Sequence, residues 1–470
     1  MSALILIGGL LAVPALGALC YLWWRRPTWL LAAYLLLMPF HTVTFQVLAV
    51  ELRLSGSVTT LIQSWKDVLL AALLVRALLP ALLTGRLRMA HPWVLPLLVV
   101  YTLVGVWGVI ISPSLVAGLY GFRGTFEPLA LLVIALSMPL GTRWLRRMPA
   151  AMLLVGAAAS AFAIFQVFVL SYDFLWRYYA IDGRISNAYS FAGGTFQRAM
   201  GTFSSPNQFS LYLSFLIVLG VNLALRLPRW RWPTMALVGL LAATLLLTVS
   251  RSGWLACAAG IFLSGLIWRR KAIFVVPVVV LALIALPLGL ALGLDEHLIR
   301  TVSLSDPSAA YRLDINRQNL ETVLQNPLGV GLGIVGARAL NTRILGAGGQ
   351  LYATESYYFQ TAMELGIVGL VLFVVLLVSC GYVAYCSIFR LRDRYWRALA
   401  VSACACIAAA MTHAFFIADL QDLTVGSYLW FLVGLAMRLP AIEAAETAAE
   451  PAARPSPAPT SSALPAPTTS

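Results

Sequence analysis

Apolar runs long enough to cross a membrane recur along the whole chain. They lie at about residues 2–24, 28–47, 65–84, 93–112, 126–141, 149–170, 207–226, 233–249, 252–268, 273–294, 361–388, 398–417 and 423–438. A helix needs about 20 apolar residues to span the hydrocarbon core. Backbone groups in lipid have no water to bond, so each run predicts an α-helix. A transmembrane barrel would show alternating segments of about ten residues instead. Only 11% of the residues are charged, against about a quarter in soluble chains. The expected fold class is all-α, a polytopic membrane helical bundle of about 12–13 transmembrane helices.

The formal net charge is +14. On a soluble chain that excess would suggest nucleic acid. Here it sits in short loops: "RR" at 25, "GRLR" at 85, "RWLRR" at 143, "RLPRWR" at 226, "RRK" at 269 and "RLRDRYWR" at 390. With the spans above, all six loops fall on one side, which the positive-inside rule makes cytoplasmic. Arg25 and Arg26 follow the first run. A secretory signal has the opposite order, so a retained helix with an outer N-terminus is expected. Cys20, Cys257, Cys380, Cys386, Cys404 and Cys406 all lie in apolar runs without zinc-ligand spacing, and read as small core residues.

The bundle is expected over 1–438, with long outer loops at about 171–206 and 295–360. In the second loop, "AAYRLDINRQNLETVLQNPLGVGLG" puts Leu313, Leu320, Val323 and Leu324 on one helical stripe. "NPLGVGLG" then ends that helix. Residues 439–470, rich in alanine, proline and small polar residues, bury too little to offset chain entropy and predict a disordered cytoplasmic tail.

Charges near the bilayer are costly, about 2.5–3.5 kcal/mol each on insertion scales. Outer-face arginines break the positive-inside trend, and the main ones are Arg123, Arg198, Arg251, Arg300, Arg312 and Arg317. Guanidinium groups keep their charge and bind phosphate bidentately. The set can build a phosphate pocket, and each member can instead snorkel or pair at the surface. "LLTVSRSGW", 246–254, reads as a tight hairpin that puts Arg251 at the outer surface. Glu355 fits two roles: a general base, or an acid stabilised by a helix N-terminus. Glu364 is expected to pair inside the bundle, and Glu127 to pair with Arg123 at i, i+4. His41 and His413 read as satisfied core residues, and His91 and His297 are assigned no chemistry. The aromatics of the first outer loop, among them Tyr172, Trp176 and Phe203, suit an interfacial belt or sugar rings.

Three stretches in order carry a resemblance. "RAMGTFSSPNQFSLYLSF" at 198–215, "LLTVSRSGW", and "NPLGVGLG" followed by "ESYYFQTAMELGIVGL" resemble the O-antigen ligase and O-antigen polymerase superfamily over about 195–370. The resemblance implies a fold like that of the membrane-embedded glycosyltransferases that use lipid-linked sugars. It implies an undecaprenyl-diphosphate-linked glycan donor, a glycan acceptor (a lipid-linked repeat unit or lipid A core), no cofactor and no metal. It admits a chain-length regulator as a partner, and it implies an outward-facing site in a bacterial inner membrane. Arg198 and Arg251, with Arg312 as a third, take the diphosphate-binding places of the family. Arg123, Arg317 and Asn207 are secondary candidates. The family's acceptor-deprotonating histidine falls on Glu355, nine residues before Glu364. That departure favours a polymerase of O-antigen, capsule or exopolysaccharide over a ligase, with Glu355 and Arg251 as the catalytic pair. A polysaccharide transporter or flippase is the reading of a different class.

Overall fold

The computed structural model describes residues 21–84, 92–179, 190–191, 196–269, 307–336, 339 and 351–449. Eight helices in it are long and apolar enough to cross a membrane. A ninth span is the bent pair α6 (Leu115–Phe126) and α7 (Ala130–Ser137), which meet at 42°. Two shorter apolar helices, Val94–Ile110 and Arg231–Leu247, match two further expected spans. The expected spans 2–24 and 273–294 fall essentially outside the described residues. The all-helical polytopic bundle is borne out. A two-stranded pairing, β1 (Ser190–Phe191) with β2 (Phe196–Gln197), lies in the first long loop.

Three helices make the centre: α10 (Pro206–Arg226), α12 (Arg251–Trp268) and α15 (Arg394–Phe416), all packed on one another. Small side chains allow this. Ala398, Ala400, Ala403, Ala405, Ala409 and Ala410 of α15 are all fully buried. A Cβ on Gly260 of α12 would stand 3.1 Å from the Ala405 carbonyl oxygen. Without a hydrophobic drive between helices in lipid, such close backbone approach is what holds a bundle. Around the centre lie α14 (Tyr357–Arg390) and α16 (Leu423–Ala449), with α8 (Thr142–Phe165) against α10 and α11 (Arg231–Leu247).

Cross-contacts divide the bundle into two ends. Arg146 pairs with Asp393 at 2.7 Å and Glu446 at 3.3 Å, and lies over the Trp396 ring. Arg226 stacks over Trp268 at 3.7 Å. Following the helices from these pairs puts loops 143–147, 226–231, 269 and 390–397 at one end, the basic end. At the other end Ser356 donates to the Ala414 carbonyl (3.3 Å), Gly201 N donates to Gln166 Oε1 (3.0 Å), and Val43 N donates to Thr202 O (3.4 Å). Gln166 opens a π-helical turn, 166–170.

Three expectations need correction. The span placed at 126–141 begins eleven residues earlier, at Leu115, because the run breaks around Pro128 and its outer half is the more polar α6. Helix α16 continues past 438 to Ala449, where the tail was expected from 439. Glu443 accepts N–H bonds from Arg392 and Asp393, and Glu446 accepts from Trp396 Nε1 (3.1 Å), so this Ala- and Glu-rich stretch has partners. The helix predicted in the second outer loop forms as α13 (Pro307–Gln325), but its packed face is Ile315, Asn319 and Val323. Leu320 and Leu324 are exposed, because Asn319 turns inward to donate to Thr354 Oγ1 at 3.0 Å.

Candidate functional site

Arg198 and the hairpin of Arg251 come together through α10. Ser205 caps α10, and Pro206 and Asn207 open its first turn. Ser250 caps α12, its Oγ accepting from Gly253 N at 3.3 Å. The chain reverses between α11 and α12 at Val249, which takes φ +47. That region is uncommon for any side chain and an outlier for a β-branched one. The reversal leaves Arg251 exposed at the first position of α12.

Arg198 is fixed against this turn. Its Nε donates to the Thr248 carbonyl at 2.8 Å, and its Nη2 donates to Asn207 Oδ1 at 2.9 Å. Asn207 Oδ1 also accepts from Ser250 Oγ at 3.0 Å. Ser210 Oγ donates to Ser250 Oγ at 3.0 Å, and Ala199 N donates to Leu247 O at 3.0 Å. The Thr248 carbonyl and the Asn207 amide oxygen thus orient the Arg198 guanidinium. Two helix N-termini, those of α10 and α12, meet at the same place. Their free N–H groups and dipoles favour an anion. Two guanidiniums beside two helix starts form a site suited to a phosphate or diphosphate.

Glu355 lies at this same end, half-buried, in the stretch that enters α14. Its neighbours are pinned. Tyr352 N donates to Ile334 O (3.0 Å), Thr354 accepts from Asn319, and Ser356 bonds to Ala414 O. The backbone of Arg312 lies in α13, and its side chain lies outside the described part. Arg300 also lies outside the described residues.

The other secondary arginines are held elsewhere. Arg123 pairs with Asp67 at 2.8 Å and with Glu127 at 3.3 Å, the latter the expected i, i+4 pair. Asp67 is far away in sequence, so that pairing had no local signal. Arg317 is exposed and pairs with Glu321 at 3.5 Å. Of the secondary candidates, Asn207 alone is brought against Arg198 in the described contacts.

Gln360, Asp419, Gln421 and Asp422 were not singled out from sequence, and Gln360 and Asp419 join two residues that were, Glu364 and His413. Glu364 is buried, as expected, and accepts from Gly333 N at 2.9 Å. Gln360 donates to Glu364 Oε2 (3.3 Å) and to Gln421 Oε1 (2.8 Å). His413 is fully buried with Nε2 3.1 Å from Asp419 Oδ2. Asp422 accepts from Thr424 N and Val425 N at the start of α16, and burial pushes its carboxyl up to about 6. The polar spacing in "IADLQDLT" was the only hint of this cluster.

No curated protein matches this chain. Residues 236–374 match the family model described as O-antigen ligase. The matched segment contains Arg251, Arg312, Arg317 and Glu355, and stops short of Arg198 and Asn207. Over that segment the chain is similar to the O-antigen ligase family, which supports the resemblance to the O-antigen ligase and polymerase superfamily.

Proposed function

We propose that the protein polymerises undecaprenyl-diphosphate-linked oligosaccharide repeat units, of O-antigen, capsule or exopolysaccharide, at the outer face of a bacterial inner membrane. One observation carries the reading: Arg198, oriented by Thr248 and Asn207, stands beside the Arg251 turn at two helix N-termini. Such a site binds the donor's diphosphate. The acceptor hydroxyl attacks the anomeric carbon, and its proton passes to the Glu355 carboxylate. The bond from the anomeric carbon to the diphosphate oxygen breaks, and its electron pair leaves with the lipid diphosphate. Negative charge grows on that leaving group, where preorganised cations and N–H dipoles stabilise the transition state. Direct displacement by one base and one stabilised leaving group inverts the anomeric centre. Glu355 in place of a histidine favours a polymerase over transfer to lipid A core or protein.

The test is product analysis after deleting the gene in its native cell, with Arg251→Ala and Glu355→Gln as rescues. Single lipid-linked repeat units should accumulate, and neither variant should restore long chains although both insert. Long lipid-linked chains that never reach a final acceptor would assign a ligase instead. Lipid-linked units left unflipped on the inner leaflet would return the protein to transport, and a normal polysaccharide profile would point to a different glycan.

A further inference from the structure

The basic end holds a cavity unrelated to the diphosphate site. Its volume is about 830 Å3, and it opens between the 136–142 turn, the end of α14 and the 437–446 part of α16. Leu140, Val383, Met437 and Ile442 form an apolar wall. Arg390, Arg438 and Glu446 supply the charge, and Thr142, Ser387 and Tyr382 supply hydroxyls.

The charges are not equivalent. Glu446 is engaged by Arg146 (3.3 Å) and by Trp396 Nε1 (3.1 Å). Arg438 is anchored through Nη1 on the carbonyls of Ala135 and Met138 at the end of α7. Those carbonyls fix the guanidinium in the wall. Arg390 is exposed at the last position of α14. Beside it, Phe389 and Tyr382 are 70% and 64% exposed, the pattern of aromatics at a membrane boundary. The cavity is therefore cationic on one side, apolar on the other, and placed where head groups meet acyl chains.

We propose that this cavity binds an anionic phospholipid, its phosphate between Arg390 and Arg438 and one acyl chain along the Leu140–Ile442 wall. Basic pockets between helices at this depth suit acidic head groups. Phosphate recognition by guanidinium would be shared with free inorganic phosphate, but the apolar wall commits the site to a lipid.

The test uses the full chain purified in detergent. Thermal unfolding and native mass spectrometry would compare phosphatidylglycerol, phosphatidylcholine with the same chains, and inorganic phosphate. Phosphatidylglycerol should raise the unfolding temperature and remain bound, with the other two well behind. Arg390→Gln should weaken phosphatidylglycerol binding about fivefold, the effect of one interfacial cation. Arg390 is chosen because Arg438 also holds backbone. Ala445→Trp, which fills the cavity from its exposed rim, should abolish binding with the lipid-free unfolding temperature unchanged. Equal response to the two lipids, an equal response to phosphate, or unaltered binding in Arg390→Gln would overturn the proposal.

Discussion

Asn207 is the residue on which the arginine site turns. It carries no charge, yet one oxygen accepts from both Arg198 and Ser250 and so ties α10 to the α12 hairpin. A hydrogen bond to a charged group contributes about 1.5–3 kcal/mol. Asn207→Ala should therefore lower turnover roughly 10- to 100-fold. In membranes from the variant, a loss of donor affinity equal to that of Arg198→Ala would identify a positioning role. Unchanged kinetics with only lower expression would refute it. Val249 stores strain at the same turn, of about 1–2 kcal/mol for a left-handed side chain. Val249→Gly should unfold at a higher temperature, and polymer yield should not rise with it. Asp422 gives a pH signature. Its folded pKa of about 6 lies above its ordinary value of 3.8, so the folded state holds the proton more tightly. The associated stability is full below about pH 4 and is lost as pH rises through about 6. Asp422→Asn keeps an acceptor for the helix cap, and a flatter unfolding-temperature profile across that window is expected.

Among the elements, the glycine loop after α13 does the most to shape the outer half. Gly329, Gly331 and Gly333 all take positive φ. A Cβ on Gly333 would stand 2.0 Å from the Ala117 carbonyl oxygen, and one on Gly331 would stand 2.5 Å from Ser112 Cα. The loop's N–H groups go to named partners: Val330 to Met363 O, Leu332 to Gly108 O, and Gly333 to the Glu364 carboxylate. It thus locks α5 (Val94–Ile110), α6 and α14 together below the Glu355 segment. Gly333→Ala combines a forbidden φ with backbone overlap, and its cost should exceed the 1–3 kcal/mol typical of a strained residue by itself. Loss of folded protein in a detergent-solubility assay would register it, while Gly239→Ala, with open space around it, serves as the neutral control. Reading the sequence located this loop and the end of α13 from Asn326-Pro327 and the glycines. The partners were not legible, because Ser112, Ala117 and Glu364 reach it only through the tertiary fold. The same limit explains the arginines. Arg198, Asn207 and Arg251 sit in motifs whose helix starts bring them together, whereas the attachment of Arg123 to Asp67 has no local period to betray it. It also explains the misplaced 126–141 span: Gly118, Gly121 and Arg123 make α6 look like a loop until Leu332 and Gly333 pack on it.

At the scale of the whole molecule, two chemically different ends explain how one bundle can be both oriented and active. At the basic end Arg146 meets Asp393, Glu446 and Trp396. At the other end Arg123 and Arg317 also meet carboxylates, whereas Arg198 is oriented by the Thr248 carbonyl and the Asn207 amide. The carboxylate and aromatic contacts of Arg146 suit an anchor of topology, and the uncharged Thr248 and Asn207 contacts orient Arg198. If the positive-inside rule assigns the basic end to the cytoplasm, the Arg198 and Glu355 end faces outward, the side on which the proposed polymerase would meet its donor. Single cysteines at Arg143 and Arg394 should then react with a membrane-impermeant maleimide only after cells are opened. Cysteines at Ser204 and Ala353 should react in intact, outer-membrane-permeabilised cells. Cys386, half-buried near the basic end, is replaced by serine to clear the background. Labelling of both pairs from the outside would break the two-ended arrangement. The inverse pattern would keep the bundle and turn the site toward the cytoplasm, where a donor awaiting export could be polymerised before it crosses.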